Sequence, residues 1–160
     1  LIILRTASVA ATRDAAWRAW GERDELVRWF ARDAKIELQP GGAYEMYFLL
    51  DEPPGRRGGE GNTVTHFAPG RVLSFTWNAP PQFGPLREVR THVVLTFADR
   101  AGGGTDVTLT HYGFGHGEDW AKVHAYFEAA WSRVMQSLTQ HLGAAPAATA
   151  VSPPHDRGVN

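Results

Sequence analysis

Cysteine is absent from the 160-residue chain. That excludes a disulfide framework, thiolate zinc or iron–sulfur sites, and a cysteine nucleophile. An excess of one charge is missing too: 16 basic and 17 acidic side chains leave a formal net charge of −1. Such a balance argues against the broad electrostatic footprint suited to nucleic acid or an anionic membrane. No apolar run approaches the roughly 18 residues that a membrane span needs. Leu1-Ile2-Ile3-Leu4 is too short, and lacks the basic flank, for a signal peptide. Lysine is nearly absent, since Lys35 and Lys122 are the only two among the 16 basic residues. A soluble, cytoplasmic single domain is the expectation, and a chain of this length buries about 70% of its unfolded surface.

What is abundant is large rings: six tryptophans, eight phenylalanines and four tyrosines. Leu1 to Ala11 reads as a strand. Thr12 and Asp14 then offer capping oxygens to a short helix over Ala15–Trp20, stopped by Gly21. A second short helix, Asp24 to Phe30, sets Leu26, Trp29 and Phe30 at helical spacing. The period then changes to alternation, with strands at Ile36–Leu38, Ala43–Leu50, Gly61–Phe67, Val72–Trp77, Glu88–Ala98 and Thr105–Tyr112. Their turns are Pro40-Gly41-Gly42, Ala68-Pro69-Gly70-Arg71 and the glycine-rich Asp99–Gly104; longer loops lie at Asp51–Gly59 and Ala79–Pro85. Strands joined by short turns pair antiparallel. Glu118–Leu142 is one amphipathic helix, with Trp120, Val123, Phe127, Trp131, Val134, Met135, Leu138 and Leu142 along its stripe. Gly143 is placed to end it. The expected organisation is one domain over 1–142 and a disordered Ala/Pro-rich tail over 143–160.

A bent sheet with one apolar face needs a cover, and the last helix is the only element large enough. Space left between them is where a small ligand would bind. Several segments carry a resemblance. They are Asp14-Ala15-Ala16-Trp17-Arg18-Ala19-Trp20, Leu26-Val27-Arg28-Trp29-Phe30, Gln39-Pro40-Gly41-Gly42-Ala43-Tyr44 and Pro69-Gly70-Arg71-Val72-Leu73-Ser74-Phe75-Thr76-Trp77. The set closes with Gly104-Thr105-Asp106-Val107-Thr108-Leu109-Thr110-His111-Tyr112-Gly113-Phe114 and the Trp120…Trp131…Leu138 helix. In this order, over about residues 1–142, they resemble the helix-grip (SRPBCC, START-like) superfamily, in the branch named after the activator of Hsp90 ATPase. The resemblance implies an α+β helix-grip fold. Its curved antiparallel sheet of about six to seven strands would wrap a long C-terminal helix, with two short helices after the first strand. The eukaryotic activator carries a separate N-terminal chaperone-binding domain, and no counterpart of it is expected within these 160 residues.

His111 shares the inward register of Val107 and Leu109, so it is placed near the mouth of the sheet–helix cavity. An imidazole there would bond a ligand or act as acid or base near neutral pH; the competing reading is a histidine that merely holds a strand end. Trp77, Phe75 and Leu73 face the same interior, Phe75 and Leu73 as core and Trp77 at an opening. The expected lining is Trp77, Phe75, His111, Thr91, Val89, Phe127 and Trp131, with Trp29 near the end plug. Glu45 and His66 would add acid/base groups if they pointed inward, but the register of Tyr44–Phe48 is ambiguous. His111 and His116 are five apart and His124 and His141 are 17 apart, neither a metal-ligand pattern, so no metal or cofactor is expected. No serine sits in a nucleophile elbow. Gly58-Gly59 and Gly102-Gly103-Gly104 lack the Lys-Ser/Thr ending of a phosphate loop. Arg56-Arg57, Arg87 and Arg90 read as solvated charge.

The leading reading is a non-enzymatic protein that binds a small hydrophobic molecule. The alternatives are a cyclase- or hydratase-like enzyme on the same scaffold, and a co-chaperone of the Hsp90-activator type. Nothing in the sequence sets an oligomeric state.

Overall fold

The structure, a computed structural model, describes residues 1–147. Strand β1 (Ile3–Val9) leads into helices α1 (Arg13–Gly21) and α2 (Arg23–Leu26). Strands β2 (Asp33–Ile36), β3 (Tyr44–Tyr47), β4 (Val64–Ala68) and β5 (Val72–Trp77) follow. After a 3₁₀ segment (Pro81–Glu88) come β6 (Thr91–Asp99), β7 (Thr105–Tyr112) and helix α3 (Glu118–Leu142). The main sheet is antiparallel, in the order β1-β7-β6-β5-β4, while β2 and β3 form a separate pair. A curved antiparallel sheet with a long C-terminal helix is the helix-grip arrangement, in the α+β class.

Alternation along the strands decides which face is buried. Register aligns Val64, Phe75, Val93, His111 and Ile3 in one row across the sheet, and all five are buried. The buried stripe of α3 (Val123, Phe127, Trp131, Met135 and Leu138) has the spacing of one helix face. Arg5 ties the β1 edge to that helix, its Nε donating to Ser132 Oγ at 2.9 Å and its Nη2 to the Glu128 carbonyl at 3.2 Å.

The short helices lean on capping and on rings. Thr12 Oγ1 accepts the Ala15 N–H at 3.2 Å and caps α1. Trp20 meets Trp29 edge-on at 4.8 Å between centroids, and Phe30 bridges from Trp29 to Trp77 and Trp131. Trp29 Nε1 donates to the Ala19 carbonyl at 2.9 Å. The second helix ends at Leu26, earlier than its spacing predicts, and residues 27–30 continue as turns.

The strand expected at Ile36–Leu38 lies instead at Asp33–Ile36, and that expected over Gly61–Phe67 lies at Val64–Ala68. Three more boundaries shift because backbone groups are committed elsewhere. The strand expected over 43–50 ends at Tyr47, because the Phe48 and Leu49 N–H groups both donate to the Arg57 carbonyl, at 2.8 and 3.0 Å. The strand expected from Glu88 begins only at Thr91. The preceding 3₁₀ segment runs on through Glu88, and the Val89 N–H donates back to Leu86 O at 3.1 Å instead of to a neighbouring strand. At the C-terminus, Gly143 O accepts from Ala10 N at 2.9 Å and Ala145 N donates to Ser8 O at 3.0 Å. These residues are thus bound to β1; the rest of the expected tail, from 148 on, lies outside the described residues. Among the described residues no helix is long and apolar enough to cross a membrane.

Candidate functional site

A cleft of about 540 Å³ opens where the β5 end, the α3 face and the 49–59 loop meet. That volume falls within the range of about 300–1,000 Å³ found for small-molecule pockets. On α3, Tyr126, Ala130, Arg133 and Ser137 line one edge and Phe127, Trp131 and Val134 the floor. Both sets follow the i, i+4, i+7 spacing of a helix face. Trp77 closes the β5 side, with Asn78–Gln82 beyond it, and Trp29, Phe30 and Phe48 stand at the end nearest the short helices. Trp77 and Trp131 are 5.6 Å apart between ring centroids and Phe127 and Trp131 are 6.2 Å apart, so the floor is aromatic and nearly continuous.

The floor is held from behind by a chain of hydrogen bonds. Trp131 Nε1 donates to His111 Nδ1 at 2.9 Å, and His111 Nε2 lies 2.7 Å from Thr91 Oγ1. An indole N–H only donates, so Nδ1 must accept and the imidazole proton sits on Nε2. Nε2–H therefore donates to Thr91, whose hydroxyl donates onward to the Trp77 carbonyl at 3.3 Å. Burial, followed by the nearby His124 and His92, lowers the His111 pKa to about 3. The ring is neutral, and both nitrogens are engaged with protein.

These positions separate the predicted lining residues. Trp77, Phe127, Trp131 and Trp29 do line the cleft. His111 and Thr91 are fully enclosed behind the floor. Phe75 is also buried, stacked on Tyr44 at 4.2 Å between centroids. Val89 does not belong to the interior at all: it is 49% exposed, because the 3₁₀ turn carries it off the sheet before β6 starts. The ambiguous register resolves with Tyr44 and Met46 buried and Glu45 half-buried. Glu45 accepts from Gly61 N at 2.7 Å and from the Tyr47 hydroxyl. Burial, and then Glu45, raise the Tyr47 pKa well above the usual phenol value. His66 is exposed on β4. Among the described residues no group of three or more His, Cys, Asp or Glu is arranged to hold a metal ion.

Sequence reasoning missed the loop that forms the cleft's rim. Glu60 gathers the backbone N–H groups of Gly55, Arg57 and Gly58, the last at 2.7 Å. Arg87, read from sequence as solvated, donates to the carbonyls of Gly55 and Gly58 at 2.9 Å each. Buried Asn62 and Asn78 join at 2.7 Å, Asn78 also donating to Gly58 O, and Arg90 donates to Asn62 Oδ1 at 2.9 Å. The result is a fixed loop that presents Arg56 and Arg57 to the cleft. Arg133 alone had a sequence signal, since its spacing places it beside the Phe127–Trp131 stripe.

With this geometry in place, comparison with known proteins identifies the lineage. A family model described as activator of Hsp90 ATPase homolog 1-like protein matches residues 10–143. The chain belongs to this family. Its fold recurs in protein MLL2253 from Mesorhizobium loti, at TM-score 0.71 and 19% identity, covering 89% of this chain and 96% of that one. It recurs in the Aha1 dimer from Colwellia psychrerythraea, at TM-score 0.64 and 19% identity, covering 89% and 96% of the respective chains. An AHSA1-like protein from Rhizobium etli gives TM-score 0.62 at 20% identity, over 100% of this chain and 93% of that one. At such identities the likeness establishes the shared fold. No curated protein matches the sequence.

Proposed function

We propose that the chain binds a small, largely apolar molecule in the cleft between α3 and the end of β5. The observation that carries this reading is the aromatic floor, whose Trp131 and Trp77 are tied through His111 and Thr91. The indole donor of Trp131 is used from behind, so the part of this nearly buried ring that borders the cleft offers apolar contact alone. A site whose walls are already fixed loses little freedom on binding. The titratable side chains of the lining are Arg56, Arg57, Arg133 and Tyr126, with no His, Asp or Glu among the described ones. Acid/base catalysis needs a proton-transfer group with a pKa near the working pH, so this lining favours binding over a cyclase or hydratase reaction.

Ala130 supplies the test. Ala130→Phe adds a ring into the cleft from a half-buried position on α3, on the edge away from the Trp131–His111 bond. Thermal-shift and native mass spectrometry screens against small acids, alcohols and aromatic compounds find a ligand for the native chain and lose it in this variant. A saturating ligand at 100 times its Kd raises stability by about 2.7 kcal/mol. Binding that survives in Ala130→Phe with unchanged affinity places the ligand elsewhere and refutes the proposal. Co-chaperone action, the other reading open to the family, predicts stimulation of a chaperone ATPase that filling the cleft leaves unchanged.

A further inference from the structure

The cleft's charge is one-sided although the chain's is not. Three charged side chains line it, Arg56, Arg57 and Arg133, and every one is cationic. The whole chain carries 17 acidic against 16 basic residues. Among the described residues no carboxylate lies within salt-bridge reach of any of the three; Arg5, Arg32, Arg71 and Arg90 are likewise without one, while Arg13, Arg18, Arg23, Arg28, Arg87 and Arg100 have acidic partners. Arg57 spends only its Nε, donating to the Glu52 carbonyl at 2.8 Å, which leaves its two terminal nitrogens open. Asp51 and Glu52 share the loop but do not line the cleft. Glu60, the nearest acid by sequence to the paired arginines on the other side, is occupied by three backbone N–H groups and lies 4.0 Å from Arg87.

Position matters as much as sign. Arg56 and Arg57 come from the loop pinned by Glu60 and Arg87, and Arg133 comes from α3, so the cations stand on two different walls. Between them the floor is Trp77 and Trp131. An arginine fork binds a carboxylate or phosphate through paired N–H donors, and such charge-assisted bonds are about twice as strong as neutral ones. We infer that the natural ligand is an anionic amphiphile: one acidic group held at the rim by Arg57 and Arg133, with Arg56 adding charge, and an apolar body laid on the indoles. This inference rests on the cleft being a binding site and deepens it by naming the chemical class.

The test uses matched pairs that differ only in charge: decanoate against 1-decanol, and naphthalene-2-acetate against its methyl ester. Affinities are measured by calorimetry with the full chain at low and high salt. Each acid binds at least 10-fold more tightly than its neutral partner at low salt, and the ratio shrinks at high salt because rim charges are screened. The double variant Arg57→Gln, Arg133→Gln weakens the acids about 10-fold and leaves the neutral partners unchanged. Arg71→Gln, exposed and outside the cleft, changes neither. Equal affinity within each pair, or acid binding indifferent to the double variant, overturns the inference while the apolar cleft stands. If no member of either pair binds, the cleft reading fails and the anionic class falls with it.

Discussion

Acidification isolates His111. In the folded chain its pKa is lowered to about 3, by burial first and then by His124 and His92. In the unfolded chain a histidine titrates near 6.5. Below that value the unfolded state takes up a proton that the folded state refuses, so His111 contributes stability in full above about pH 6.5 and loses it as the pH falls toward 3. At pH 5 the loss is about 2 kcal/mol, from RT ln(1 + 10^1.5), and it grows by about 1.4 kcal/mol per further unit. That is a sizeable part of a total stability of roughly 5–15 kcal/mol. Urea unfolding, followed by tryptophan fluorescence at pH 7.5 and 5.0, measures it in the native chain and in His111→Gln, which cannot titrate. The native chain loses about 2 kcal/mol more than the variant over this interval. In nitrogen NMR spectra the His111 ring stays as the neutral Nε2–H tautomer from pH 8 to 5. Equal losses in the two proteins, or a His111 ring that titrates near 6.5, refute the buried neutral chain from Trp131 to Trp77.

Other perturbations probe the same framework. Trp131→Phe leaves Nδ1 of His111 buried without its donor, and chemical denaturation registers about 1–3 kcal/mol of lost stability. Asn78→Leu removes the partner of Asn62 and a donor to Gly58 O, so it costs a similar ~1–3 kcal/mol and loosens the rim loop, seen as faster amide exchange at Gly55–Gly58. Gly104 and Gly102 both have left-handed φ, of 89° and 91°, but a Cβ at Gly104 would stand 2.2 Å from the Val9 carbonyl oxygen and one at Gly102 would meet nothing within 4 Å. Gly102→Ala therefore lowers stability by only the backbone cost of about 1–2 kcal/mol, and Gly104→Ala lowers the thermal midpoint clearly further.

The parts that were legible from sequence are those with local periodicity. Leu73, Phe75 and Trp77 alternate inward on β5 as their spacing implies, and α3 buries its stripe from Val123 to Leu138. The row that contains His111 was legible too, because alternation from Val107 and Leu109 puts it inside. What alternation cannot tell is whether an inward side chain meets open space or another side chain. For His111 the answer depends on a residue 20 positions away, Trp131. The rim was illegible for a related reason. Glu60, Arg87 and the Asn62–Asn78 pair shape it through contacts between distant segments, none with a local signature. Arg56 and Arg57 consequently looked like ordinary solvated charge. Val89 failed as a lining residue because its N–H is committed to the Leu86 carbonyl at the end of the 3₁₀ segment, before β6 begins.

The proposed ligand, a small apolar or amphiphilic molecule, sits on the indoles of the cleft. Proton–nitrogen spectra of the indole N–H groups test it directly, since each of the six tryptophans gives its own signal. Titrated with decanoate, Trp77, Trp131 and Trp29 shift in a saturable, concerted way. Trp17, packed against Phe97 at 5.5 Å away from the cleft, stays in place. Shifts centred on Trp17 or Trp120, or none across the whole panel of acids and neutral partners, would rule out this cleft as the binding site.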